Sequence, residues 1–252
     1  MIPLKLNFQA LRSKKHCNDG LLSYPTKTKT NPERFTIIEF MEFASQEVSP
    51  SSDVLDAGAG SRPYQNYFSH TNYESTDRRE IPDSSAPGKH SFLCNLEEIP
   101  RPDNSYDAIV NTQVLEHVEY PQTVINEFYR VLKPHGKLFL TAPQGWGLHQ
   151  EPYHFFNFTK YGLESLFKNA RFEIIFIRPR GGIFWYLANR ISILPDYVVF
   201  SNNALTRVFR LLLSPVCRVC IPLLFFHLDR LDTKKDFTLG YACYCIKGCG
   251  EE

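Results

Sequence analysis

The stretch VLDAGAGSRPYQNYF, Val54 to Phe68, carries the signal from which the rest of the chain can be read. An apolar run ends in Asp56, Gly58 and Gly60 follow two apart, and an apolar pattern resumes up to Phe68, which predicts a β-strand turning sharply into a helix. Glycines in such a turn admit backbone angles closed to other residues and let a ligand approach the main chain. In an open α/β sheet, ligands sit outside the carboxyl ends of the strands, and Asp56-Ala57-Gly58-Ala59-Gly60 falls at such an end. By itself the turn is weak evidence, because G-x-G also opens dinucleotide sites and many plain loops. The third glycine of G-x-G-x-x-G is missing, since position 63 is Pro, and that counts against a nicotinamide or flavin site.

Upstream, Asn31-Pro32 reads as a helix cap followed by proline in the first turn, and Ile37, Phe40, Met41, Ala44 and Val48 recur at helical spacing. Downstream, short strands are expected at YESTD, HSFLCN and YDAIVNT. A helix follows in PQTVINEFYRVLKPHG, where Val124, Ile125, Phe128, Val131 and Leu132 form one stripe and Pro134 with Gly136 stops it. KLFLTAP, TKYGLESLFKNA and RFEIIFIR continue as strand, helix and strand. The alternation predicts an α/β fold with a doubly wound, mostly parallel sheet of seven strands and helices on both faces. It breaks after Arg180, and an apolar helical insertion intervenes before FTLGYACYCIK supplies the last strand. The expected organisation is a polar, basic lead-in over 1–30, a core over 31–180, the insertion over 181–236, and the last strand with the C-terminus over 237–252.

With 252 residues, 43% hydrophobic and 22% charged, the chain can bury a full core and lacks the composition of a disordered protein. A net charge of +1 argues against a surface dedicated to nucleic acid, and no such partner is expected. The charge is uneven: residues 1–35 hold seven Lys and Arg against two acids, and residues 178–218 hold six Arg against one. Either region would suit an anionic membrane, a phosphorylated substrate or plain solvated surface. MIPLKLNFQALRSKKHCNDG lacks the apolar core and cleavage site of a signal peptide, so a cytoplasmic location is expected. Seven cysteines, an odd number, suit reduced thiols. Cys217 and Cys220 form C-x-x-C without a matched second pair, and Cys243 and Cys245 alternate as in a strand, so these read as small core residues and no metal site is expected.

About twenty residues beyond the opening turn, YESTD ends in Asp77, and NLEEIPRPDNSYDAIVNTQVLEHV and EFYRVLKPHGKLFLTAP follow in order. With these segments the chain resembles the class I S-adenosylmethionine-dependent methyltransferases, especially small-molecule enzymes with an LEHV-type and an R-V-L-K-P-x-G segment. The resemblance covers about residues 35–178 and implies a Rossmann-like methyltransferase fold with S-adenosylmethionine as cofactor. It further implies that Asp56, Gly58 and Gly60 line the methionine part of the cofactor and that Asp77, with Arg78 beside it, holds the ribose hydroxyls. Asn95 and Leu96 would meet the adenine, and Gln113 with Val114 would close the pocket. The family usually has Asp where this chain has Asn95, whose amide oxygen can still accept a hydrogen bond.

Methyl transfer from a sulfonium needs in-line approach of a nucleophile to an activated carbon, so orientation in a shielded pocket supplies most of the acceleration. Where a base is needed, the candidates are His117 in LEHV and His149, Tyr153 and His154 in GLHQEPYHFFNFT; hydrogen bonding to loop backbone is their other reading. EPYHFFNFTKYGLESLF is similar to a stretch in bacterial methyltransferases acting on glycans, lipids or secondary metabolites, and it fixes no substrate. The implied activity is methyl transfer to an oxygen, nitrogen or carbon of a small-molecule, glycan or lipid-like acceptor. A non-catalytic cofactor-binding scaffold and a nicotinamide oxidoreductase are the alternatives. From Val208 to Leu228 the only charges are Arg210 and Arg218, and Pro215 and Pro222 are expected to break the run short of a membrane span. The insertion then reads as a lid over a hydrophobic acceptor, a peripheral membrane contact, or a buried helical pair extending the core.

Overall fold

The computed structural model describes residues 29–78, 90–197 and 204–249. The basic lead-in up to residue 28 lies outside the described residues, as do 79–89 and 198–203. The core elements are α1 (Pro32–Glu47), β1 (Asp53–Ala57), β2 (Asn72–Asp77), β3 (Phe92–Leu93), β4 (Tyr106–Thr112), α2 (Pro121–Val131), β5 (Leu132–Pro143), α3 (Lys160–Asn169) and β6 (Phe172–Pro179). The insertion contributes α4 (Ile183–Tyr197), α5 (Ala204–Pro215) and α6 (Ile221–Leu228), and β7 (Gly240–Lys247) completes a seven-stranded sheet.

The strand order is β3-β2-β1-β4-β5-β7-β6, with β7 antiparallel to both neighbours and the other pairings parallel. This is the doubly wound sheet that the alternation predicts. Side-chain alternation along the strands makes two cores. Leu55, Ala57, Ile109, Leu138, Leu140, Cys243 and Cys245 face α2 and α3, whereas Val54, Ala108, Val110, Phe139 and Tyr244 face α1. The two strand cysteines are thus core residues, as expected. On α2, Val124, Ile125, Phe128 and Val131 are all fully buried, and each contributes about 1.5–3 kcal/mol of transfer free energy. Asn31 caps α1 by accepting from the Arg34 N–H at 3.1 Å, ahead of Pro32.

The R-V-L-K-P-x-G residues act as structural pins. Lys133 Nζ bridges Asp53 Oδ2 at 2.8 Å and Asp107 Oδ2 at 2.9 Å, tying β1 to β4 at their N-terminal ends. Arg130 donates to Glu127 Oε1 at 2.7 Å and to the Ile99 carbonyl at 3.0 Å.

The helix expected after the opening turn is absent, and the chain forms only a 3-10 turn over Gln65–Phe68. Arg62 sits at a φ of +58°, outside helical backbone, and the short connection that remains before β2 at Asn72 leaves room for only this turn. Phe68 instead drops into the α1-side core at 1% exposure.

The prolines of the insertion do not break it either. Pro215 ends α5, a π-helical turn over Val216–Cys220 absorbs the lost hydrogen bond, and Pro222 sits in the first turn of α6. The result is one helical run, Leu211–Leu231, with a mean hydropathy of 1.9 and only 11% of its most apolar window buried, long and apolar enough to cross a membrane. The Leu211–Leu231 run is therefore not a buried helix of the core. The insertion is nevertheless fixed at its root. Asp229 accepts from the Gly182 and Trp185 N–H groups, and Asp232 accepts from the Ile183 N–H at 2.8 Å, so the end of α6 caps the start of α4. Phe35 of α1, Trp185 and Phe226 pack ring to ring at 5.1–5.7 Å.

Candidate active site

β6 runs in the same direction as β1, β2, β4 and β5, so all five strands end on one edge of the sheet. The chain enters the insertion from that edge and returns to it at β7. Every candidate site residue lies at or just beyond one of these ends or that of β3.

At the end of β1, Gly58 has a φ of +81° and Gly60 one of +49°. The two glycines have different reasons. A Cβ on Gly58 would lie 2.4 Å from Val114 Cγ2 and 2.6 Å from Cγ1, so its bareness lets β1 and the segment after β4 close on each other. A Cβ on Gly60 would meet no atom within 4 Å; it faces open space, where a ligand can approach. The Gly58 and Ala59 N–H groups both donate to the Thr76 carbonyl, which fixes the turn against β2. Asp56 is buried, accepts from the Tyr73 hydroxyl at 2.6 Å, and is pushed up to about 6 by burial.

Asp77, at the end of β2, accepts from the Gly60 N–H and the Arg78 N–H, each at 2.7 Å. Its carboxylate is thus pre-oriented beside the glycine turn, with lone pairs left for a diol. Arg78 Nε donates to Asn95 Oδ1 at 3.3 Å. Asn95 is exposed, but the Leu96 side chain lies in the core at 7% exposure, so a contact of Leu96 with adenine would have to come from its main chain. Gln113, at a φ of +55°, donates to Thr141 Oγ1 at 3.1 Å and holds Val114 over the turn.

Beyond Val114 comes the 3-10 turn Leu115–His117, and beyond β5 the loop that carries Trp146, His149, Tyr153 and His154. The loop is braced onto the turn: the Glu116 carbonyl accepts from the Phe155 N–H at 2.9 Å, and His117 Nδ1 donates to the Tyr153 carbonyl at 2.6 Å. Three histidine rings therefore converge, with centroids 4.7 Å apart for His117 and His149, 4.4 Å for His149 and His154, and 5.8 Å for His117 and His154. The Tyr153 ring lies against the Arg78 guanidinium, 5.4 Å away, which puts Tyr153 between the Asp77 end and the histidines. Burial holds His117 and His154 below the usual histidine range, so both are neutral near pH 7.

Several functional candidates escape sequence reasoning. Glu116 is 1% exposed, its Oε2 has no hydrogen-bond partner, and burial pushes its carboxyl up to about 8. Arg180, at the end of β6, is 3% exposed, 3.6 Å from Glu33 Oε1 and 3.3 Å from Thr36 Oγ1, and close enough to Glu116 to favour its ionised form. Arg190 on α4 lies over the Trp146 ring at 4.4 Å, which seats the insertion on the histidine loop. Glu116 is adjacent to His117 in LEHV, and that pairing was the available signal; Arg180 and Arg190 carried none.

These features match a known kind of domain. The family model described as a methyltransferase domain matches residues 55–140, from β1 through β5. Residues 55–140 thus form a methyltransferase domain of the class I S-adenosylmethionine-dependent kind. Residues of this chain are 34% identical, over 86 positions, to a probable S-adenosylmethionine-dependent methyltransferase of Mycolicibacterium smegmatis, a match spanning 32% of this chain and 34% of that protein. The ubiquinone/menaquinone biosynthesis C-methyltransferase UbiE of Vibrio cholerae is 29% identical over 106 positions, 36% of this chain and 41% of that protein. The matched stretches thus span well under half of these curated relatives. Among solved structures, the [4+2]-cyclase SpnF has the same fold, with a TM-score of 0.53 at 16% identity over 86% of this chain and 81% of that one. The family's cofactor is S-adenosylmethionine, and the residues fit it. The open space at Gly60, the left-handed turn and the oriented Asp77 carboxylate make the cradle that a ribose and a methionine tail need.

Proposed function

We propose that this methyltransferase moves the methyl group of S-adenosylmethionine to an oxygen, nitrogen or carbon of a lipophilic small-molecule acceptor, in the cytoplasm at a membrane surface. The observation that carries this reading is Tyr153, whose ring meets Arg78 beside Asp77 and whose carbonyl holds His117, so one residue links the cofactor turn to the histidine cluster. The cofactor's sulfonium supplies an already activated methyl group. Asp77 would accept from the ribose hydroxyls, the Gly60 main chain would lie along the methionine tail, and Val114 would close that side. His117 Nδ1 is committed to the Tyr153 carbonyl and His149 Nδ1 to the Gly147 carbonyl at 2.9 Å, which leaves each Nε2 lone pair to take a proton from an acceptor.

Two features support a lipophilic acceptor. Leu211, Leu212 and Leu224 of the insertion are 73%, 66% and 55% exposed, an apolar surface that a solvated connection does not need. The UbiE relative is named for ubiquinone and menaquinone biosynthesis. Arg218 makes two 2.7 Å bonds to Asp196, so it is committed within the insertion and the attraction to a bilayer would be mainly apolar. The test is incubation of the enzyme with membrane and soluble extracts and methyl-labelled cofactor, followed by mass spectrometry. Label in a lipid-soluble product is expected. Cofactor binding by calorimetry with no labelled product in either extract would instead establish a non-catalytic scaffold. In vesicle flotation, binding to neutral as well as anionic vesicles with weak salt dependence is expected, and loss of flotation on replacing Leu211 and Leu224 by Ser. No flotation with either lipid would remove the membrane contact.

A further inference from the structure

We propose that Glu116, His117 and His149 form a binding site for one divalent transition-metal ion, zinc being the best match to the donor set. One ligand atom from each lies within 4.8 Å of the others, and His117 Nε2 is 3.9 Å from Glu116 Oε1. The geometry is pre-arranged in the way metal-binding histidines are. His117 Nδ1 and His149 Nδ1 each donate to a backbone carbonyl, fixing the tautomer that leaves Nε2 bare. The third donor is a carboxylate that is almost wholly buried and whose Oε2 has no partner, an arrangement that costs free energy unless a cation or proton meets it. Two imidazoles and a carboxylate with an open fourth position are a donor set of catalytic zinc sites. Zinc bonds of about 2.0–2.1 Å put tetrahedral ligands roughly 3.4 Å apart, so small side-chain rotations close the site. His154 stands beside it, with its ring 4.4 Å from that of His149 and neither ring nitrogen hydrogen-bonded. Arg180 does not cancel the attraction, because Glu33 balances its charge.

The site begins two residues after Val114, which touches the cofactor turn, and so belongs to the acceptor side. With an ion bound, the Nε2 lone pairs of His117 and His149 are its ligands instead of proton acceptors, and the ion would activate an acceptor hydroxyl or thiol by coordinating it and making it more acidic. The inference goes beyond methyl transfer and is tested apart from it. The full-length chain, purified from zinc-supplemented medium and dialysed, should retain one zinc per chain by plasma mass spectrometry. Cobalt loading should give visible bands of a nitrogen- and oxygen-ligated site without a thiolate charge-transfer band. His149→Ala, in a partly exposed loop, and Glu116→Gln should each weaken zinc binding by at least the roughly 10–100-fold that even an outer partner is worth. Circular dichroism and cofactor affinity report whether each variant is folded, and His149→Ala decides the matter if Glu116→Gln is not. Sub-stoichiometric metal, a thiolate band that moves the ion to the cysteines, or unchanged zinc affinity in folded His149→Ala would overturn the proposal.

Discussion

The two glycines of the opening turn should respond to substitution in opposite ways. In Gly58→Ala the new Cβ sits 2.4 Å and 2.6 Å from the Val114 methyl carbons at a φ of +81°. The left-handed backbone costs about 1–2 kcal/mol for a residue with a side chain. Overpacking adds about 1–3 kcal/mol. The sum of about 2–5 kcal/mol lowers Tm by roughly 4–20 °C at this chain length. In Gly60→Ala only the backbone term applies, because nothing lies within 4 Å of the added carbon, so Tm falls less. That carbon points into the space assigned to the cofactor, and the Kd for S-adenosylmethionine should rise at least tenfold, about 1.4 kcal/mol. The assay is calorimetric titration of folded protein, paired with urea unfolding of both variants. A double variant sharpens it: Val114→Ala removes both methyl carbons but leaves its own Cβ at 3.0 Å, so adding it to Gly58→Ala should recover part of the overpacking and show a coupling energy of about 1–3 kcal/mol. Gly58→Ala as stable as the parent, or Gly60→Ala with unchanged affinity, would refute the division of roles.

On the proposed binding mode, in which Asp77 accepts from both ribose hydroxyls, Asp77→Ala should cost about 1.5–3 kcal/mol, a ten- to hundredfold rise in the cofactor Kd by calorimetry. An unchanged Kd would place the ribose elsewhere. Arg180→Met leaves the largely buried Glu33 carboxylate without its counter-charge, and urea unfolding should report a loss of about 3–5 kcal/mol. Asp56 gives a pH signature. Its carboxyl is raised in the folded state from 3.8 to about 6, chiefly by burial, so on raising pH the unfolded chain loses this proton first. Stability should fall by about 3 kcal/mol as pH rises from 4 through 6 and level off above, and Asp56→Asn should flatten that part of the profile in urea unfolding.

The order and type of the core elements were legible because they are written in local periods. Val124, Ile125, Phe128 and Val131 repeat at helical spacing, and Leu55, Ala57 and Val54 alternate between two faces. The opening turn and Asp77 were legible for the same reason, since each sits at the end of a strand whose extent the sequence marks. Where a local rule met two neighbours at once it misled. The pattern after Gly60 favoured a helix, and the short connection through Pro63 to β2 allowed only a 3-10 turn. Pro215 and Pro222 favoured a break, and a π-helical turn between them carried the helix through.

The sequence by itself determined an α/β sheet, a ligand edge and the turn that faces it. The tertiary structure alone decided that Val114 is what requires Gly58, that His117, His149 and His154 share one cluster with Glu116, and that Arg180 and Glu33 share one buried pair. It also decided that Arg190 rests on Trp146, bringing the insertion over the histidine loop. Each of these joins residues far apart in the chain, or, for Glu116 beside His117, gives adjacent residues a common target. Their proximity follows from strand order and from the need to bury polar groups in partnership, and neither leaves a periodic trace in the residues themselves.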